Sequence, residues 1–214
     1  MSLSDDILRD NAAILDRMLG HRFVEDVCAD RLPTPVFHHY LAYEGAFVET
    51  AIGIFAFATA RAPDLETRRW LIAVQDALAN TQVPYFEGCA ARLSLPAEPV
   101  KSPAARQFDT RMHDLAAQGD FAEIVTAMFA AEWMYWTWCS RAACAYISDP
   151  DLKAWVELHV DPAFEAQARW LKAAIDRYGA PQDRPALSRI FHDVTAWEIA
   201  FHDAPYDAMK ESAA

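Results

Sequence analysis

Three stretches of this sequence set a carboxylate among aromatic rings at helical spacing. The first is Phe37-His38-His39-Tyr40-Leu41-Ala42-Tyr43-Glu44 and the second Ala131-Glu132-Trp133-Met134-Tyr135-Trp136-Thr137-Trp138. The third is Trp197-Glu198-Ile199-Ala200-Phe201-His202-Asp203-Ala204-Pro205-Tyr206. A carboxylate buried against Trp and Phe is destabilising unless it is paired or protonated. Each such group is therefore either a hydrogen-bonded strut or an acid or base tuned by its surroundings. The residues alone leave both open.

Metal ligation is the first chemistry to test. Glu198 and His202 lie four apart, so they share one face of a helix and can clamp an ion. His38 and His39 precede Glu44, and His159 follows Glu157 by two. An acidic chain with seven His produces such pairs by chance, and neither a metal site nor a cofactor is expected. Nucleophilic chemistry leaves no motif: no G-x-S-x-G elbow, phosphate loop or dinucleotide fingerprint is present. Cys139 and Cys144 sit on an aromatic-rich segment without an adjacent base, and each reads as a buried structural thiol.

Composition bounds the partners. The 214 residues carry 31 acidic side chains against 19 Lys and Arg, a net charge of −12. No basic cluster exists to neutralise phosphates, so nucleic acid and anionic membrane surfaces are not expected partners. Cys28, Cys89, Cys139 and Cys144 match no zinc or redox spacing and read as reduced thiols of a cytoplasmic protein. The start, Met1-Ser2-Leu3-Ser4-Asp5-Asp6, lacks the charge and apolar run of a signal peptide. The most apolar stretch, 46–60, contains Glu49 and is too short to span a bilayer. Seven Trp, seven Tyr and twelve Phe imply a large packed interior or a ring-lined pocket.

The elements that must position these residues are helices. Periodicity and punctuation predict about seven long ones in a single domain spanning 1–214, with no strand. The first runs from a Ser4 cap to Gly20, and the second from Pro35 to Arg61 behind a Thr34 cap. The third spans Leu65 to Leu93, kinked at Pro84. After a proline-rich loop, 96–103, a fourth ends at Gly119. A fifth covers Phe121 to Ile147, a sixth Asp151 to Tyr178 around Pro162, and a last Arg184 to Met209. Gly20, Gly119 and Gly179 fall at helix ends, where a left-handed residue is wanted. The fold class is an all-α bundle.

Several motifs, in order along essentially the whole chain, resemble the TenA (thiaminase-II-like) family. His21-Arg22-Phe23-Val24, Leu32-Pro33 and Phe37-x-x-Tyr40-Leu41 resemble the family's opening, His-Pro-Phe-Val … Leu-Pro … Phe-x-x-Tyr-Leu. Ala131-Glu132-Trp133-Met134-Tyr135 is similar to its Cys-Glu-Trp-Ala-Tyr. Trp155-Val156-Glu157-Leu158-His159 is similar to Trp-Ile-x-x-Tyr, and Glu198-x-x-Phe201-His202-x-x-x-Tyr206 to Glu-x-x-Phe-Trp-x-x-x-Tyr. The resemblance implies a haem-oxygenase-like fold without haem, usually a homotetramer. It also implies hydrolysis of aminopyrimidines in thiamin salvage, and of thiamin itself in some members. In that scheme a carboxylate on the second helix grips the pyrimidine, a Cys on the fifth adds to the ring, and a Glu on the last moves protons.

This chain keeps the family residue at Glu198, Tyr135 and Phe201 and departs from it elsewhere in the implied pocket. The pyrimidine-gripping Asp is Glu44, and ring-lining Tyr positions hold Phe47 and Phe108. The Tyr of Trp-Ile-x-x-Tyr is His159, a residue type that holds or shuttles a proton near neutral pH. The nucleophilic Cys is Ala131, and Glu132 faces about 100° away from it, as a strut. The resemblance therefore implies a hydrolase without the thiol, acting on a C–N bond of an aminopyrimidine or related small amine. Glu198, Tyr135 and His159 would be catalytic, while Glu44, Phe47, Phe108, Phe201 and Ala131 would bind substrate. Two alternatives stand beside it. One is a binding or regulatory protein that kept the pocket. The other is a metal-dependent oxidase of the same fold, whose further ligand positions here hold Ala51, Ala163 and Ala166.

Overall fold

The computed structural model describes residues 2–96 and 99–212, and among them every regular element is helical. They fall into two compact units, residues 2–33 with 125–199 and residues 34–124 with 200–212.

The first unit opens with α1 (Leu3–Asp10), α2 (Ala12–Leu19) and α3 (Arg22–Cys28). The single first helix expected from sequence is broken at Asn11, whose amide donates to Ile7 O and to Ser188 O. Its cap is Ser2, whose hydroxyl accepts from Asp5 N, and Ser4 instead holds Asp176 from inside the helix. His21 caps α3, its Nδ1 accepting from Phe23 N, so the expected turn is helical. The expected fifth helix is α8 (Phe121–Ala142), part of this unit from Val125 onward, which stops five residues early and leaves Cys144 outside it. The expected sixth divides at Pro162 into α9 (Pro150–Leu158) and α10 (Pro162–Tyr178). Asp149 and Asp161 cap the two halves, and proline occupies the first position of each. The last helix, α11 (Arg184–Ser212), belongs to this unit as far as Ile199. Its core is ring-rich: Trp138 stacks on Trp155 at 5.5 Å, and Phe129 meets Phe191 at 5.5 Å.

The second unit is built on α4 (Thr34–Arg61), which packs against α5 (Leu65–Ala77), α6 (Val83–Leu93) and α7 (Pro103–Gln118). At 28 residues α4 is long and apolar enough to cross a bilayer by length and composition alone. The stretch 46–60, interrupted by Glu49, is only part of the helix that contains it. Val36, Phe37, Leu41, Val48, Ile54 and Phe55 are buried, and 39% of the most apolar window of the helix is buried. The kink expected at Pro84 is a π-turn, Leu78–Gln82, in which Val83 N–H reaches back to Leu78 O. Its wider loop gives the proline ring space that an α-helical carbonyl would occupy.

Glycine plays a different part from the one expected. Gly20, Gly119 and Gly179 all have negative φ, and among the described residues the left-handed ones are Asp30 and Ser94. At Gly179 the reason is close approach. A Cβ there would lie 2.7 Å from Leu3 Cδ2 and 2.8 Å from Ile175 O.

Candidate functional site

In the first unit, α8 carries Ala131 and Tyr135 one turn apart on one face. Both are buried. The Tyr135 hydroxyl donates to Glu198 Oε2 at 3.5 Å, the long limit of a hydrogen bond, with Glu198 2% exposed. The Tyr135 ring lies 5.3 Å from the ring of His159, the residue that ends α9. Trp155 at 4.1 Å and Phe164 at 5.0 Å close the imidazole in. His159 Nδ1 sits 2.9 Å from Trp155 O. A carbonyl only accepts, so Nδ1 carries the hydrogen and Nε2 is the accepting nitrogen of the neutral ring. Glu198, Tyr135 and His159 thus form one buried set of a carboxylate, a phenol and an imidazole, each able to give or take a proton.

Next to Ala131, Glu132 is buried and held by α10, its Oε1 accepting from Gln167 Nε2 at 2.7 Å. Oε2 has no hydrogen-bond partner among the described residues. Burial pushes this carboxyl up to about 8, partly offset by the Gln167 amide, so it is a neutral acid at pH 7.

The other site candidates lie in the second unit. Phe47 meets Phe108 at 4.8 Å, Phe108 meets Phe201 at 5.1 Å, and Tyr40 meets Phe201 edge-on at 5.9 Å. These rings form one cluster between α4, α7 and the end of α11. Glu44, one turn before Phe47, lies with a group on α6 that sequence reasoning missed. Burial holds the Tyr85 phenol above its ordinary pKa, reinforced by Cys89 and by the Glu44 carboxylate. Arg92 Nη2 in turn lies 3.6 Å from Cys89 Sγ. The spacing of Tyr85, Cys89 and Arg92, four and three apart on one helix face, was the available signal. Gly45 lets α6 come this close, since a Cβ there would lie 3.1 Å from the Phe86 side chain.

Also in this unit is a cavity of about 810 Å³, lined by α4, α6 and the segment before α7. Cys89 is buried at its wall. Of the two thiols read as buried, Cys139 is buried and Cys144 is exposed, because α8 ends before it. Among the described residues no three His, Cys, Asp or Glu side chains are grouped to hold a metal ion.

The described residues form an all-α protein of the haem-oxygenase-like fold. The chain belongs to the TENA/THI-4/PQQC family, whose profile matches residues 9–208. Solved structures agree on the fold. A TenA homologue from P. horikoshii is 20% identical, with a TM-score of 0.86 over 97% of this chain and 99% of that one. A TenA homologue from Pyrococcus furiosus is 18% identical, with a TM-score of 0.87 over 95% of this chain and 100% of that one. A TenA family transcription regulator from Silicibacter sp. TM1040 is 15% identical, with a TM-score of 0.85 over 93% and 94%. No curated protein matches the chain in sequence.

Proposed function

We propose that this protein is a cytoplasmic TenA-type hydrolase of thiamin metabolism, cleaving a C–N bond in an aminopyrimidine or related small flat amine. Water, rather than a thiol, is the nucleophile. The contact of Tyr135 with buried Glu198 supports the reading: the phenol, one turn from Ala131 on α8, meets a carboxylate able to move a proton, and Ala131 has no sulfur to attack. Glu198 takes a proton from water as the water oxygen bonds to the ring carbon. The C–N bond then breaks, and the proton passes to the departing nitrogen. Tyr135 orients the carboxylate, and the Nε2 lone pair of His159 supplies a second acceptor. The family resemblance gives Glu44 the substrate's amino group and gives Phe47, Phe108 and Phe201 its flat ring. It also supports a homo-oligomer working without metal or cofactor.

The test is turnover and affinity on an aminopyrimidine found by thermal-shift screening. Glu198→Gln is expected to lower kcat by about 10²–10⁴ with Kd nearly unchanged, whereas Glu44→Gln weakens Kd first. Full activity in Glu198→Gln would make the glutamate a strut and end this mechanism. The loss of the thiol also supports a second reading, a binding or regulatory protein that kept its pocket. Tight binding with no turnover on any aminopyrimidine would select that one.

A further inference from the structure

The cavity beside α6 lies on the face of α4 turned away from the ring cluster. At about 100° per residue, Leu41, Gly45, Glu49 and Ile52 share one arc of the helix, while Tyr40, Glu44, Phe47 and Ala51 share another centred roughly 125° round from it. The first arc lines the cavity. The second carries residues of the ring cluster together with Glu44. Cys89 joins the two, lining the cavity and standing with Tyr85 near Glu44, so the faces adjoin at α6, and the ligand proposed below is held by the first arc and not by Glu44.

The cavity walls are apolar, with Leu41, Ile52, Val83, Phe86 and Leu95 among them. Its volume falls within the range of about 300–1,000 Å³ typical of small-molecule sites. Three charged side chains reach it: Glu49, Glu87 and Lys101. Lys101 is already engaged, its Nζ paired with the Asp109 carboxylate and donating to Ala46 O at 3.4 Å. Glu49 and Glu87 are exposed at the mouth and have no ion-pair partner among the described residues. An apolar hollow with two uncompensated carboxylates at its entrance, on a chain of net charge −12, complements a cation with an apolar body.

We propose that this cavity is a second small-molecule site and that it takes an organic cation, a protonated amine carried on an apolar skeleton. The apolar part fills the space between Ile52 and Phe86, and the ammonium group stays at the mouth between Glu49 and Glu87. Binding there is salt-sensitive because the two carboxylates are solvent-exposed.

Calorimetry with phenylbutylamine and with phenylbutanol, equal in size and differing in charge, tests it on the full chain. The amine is expected to bind about tenfold more tightly than the alcohol at low salt, from two carboxylates roughly 6 Å away in a water-like dielectric. Glu49→Gln with Glu87→Gln should abolish that preference and leave the alcohol's affinity in place. Ile52→Trp, which fills the hollow, should remove both ligands, and Glu44→Gln should leave the preference within about twofold. Equal affinity for amine and alcohol, or binding of neither, overturns the proposal. So does a preference that survives the double Gln variant. A preference lost in Glu44→Gln alone would place the ligand on the other face of α4 and also overturn it. A double Gln variant that changes mass in solution without changing amine affinity would do the same, making this face a contact between subunits.

Discussion

Replacing Glu132 by Gln should stabilise the protein at neutral pH, by an amount that grows with pH. The Glu132 carboxyl ionises at 4.5 when unfolded and, pushed up by burial, at about 8 when folded. Between those values the unfolded chain has released the proton and the folded chain still holds it. Stability is fully present below about pH 4.5, falls as pH rises, and levels off above about 8. The slope is about 1.4 kcal/mol per pH unit. At pH 7 the wild type therefore forfeits at most about 3 kcal/mol, and above pH 8 at most about 5. Glutamine matches the neutral acid in shape and does not titrate. Its carbonyl keeps the Gln167 donor, and its NH₂ stands where the acid's second oxygen had no partner. Allowing for relaxation around a charged Glu132, we expect a gain of about 1–3 kcal/mol at pH 7. Urea melts of both proteins at half-unit steps from pH 5 to 9 measure it, since all other groups cancel in the difference. A wild-type-to-variant difference that stays constant across that range would refute the reasoning.

Ala131→Cys places a thiol one turn from Tyr135. The wild type is expected to leave thiamin uncleaved, the variant to gain measurable cleavage by product chromatography, and robust wild-type cleavage would overturn the placement of α8 in the family scheme. Light scattering at micromolar concentration is expected to return a mass near four times 24.0 kDa, whereas a monomer would defeat the homo-oligomer proposal. Gly179→Ala should cost about 1–3 kcal/mol in urea melts, because its Cβ would press on Leu3 and on Ile175 O. A variant as stable as wild type would show that α1 yields at that contact.

Helix existence was legible because long apolar stripes and proline or glycine punctuation dominate this sequence. Boundaries were less so. Asn11 breaks the first helix through an amide bond to Ser188, far away in sequence, and no local pattern reports such a partner. Pro162 was read as lying inside a helix, although Asp161 before it is a good cap and the pair starts α10. The grouping of Tyr135, Glu198 and His159 is a tertiary fact, reached beforehand only through the family motifs. Glu132 was legible as a strut by its turn away from Ala131, but its raised pKa depends on the burial around Gln167. Tyr85, Cys89 and Arg92 escaped notice because their importance comes from Glu44 on another helix.

The π-turn at Leu78–Gln82 holds one more residue per hydrogen-bonded loop than the α-helices on either side. The surplus residue is absorbed within the turn, so α5 and α6 each present the face they would have in an unbroken helix. Phe86 still meets Gly45, and Glu87 stays at the surface. The turn is therefore a point of indel tolerance. Losing one of the exposed residues Ala79, Asn80 or Thr81 would tighten it towards an ordinary helix without rotating α6, whereas deleting Tyr85, just after Pro84, would put Glu87 in the place of Phe86 against Gly45 of α4.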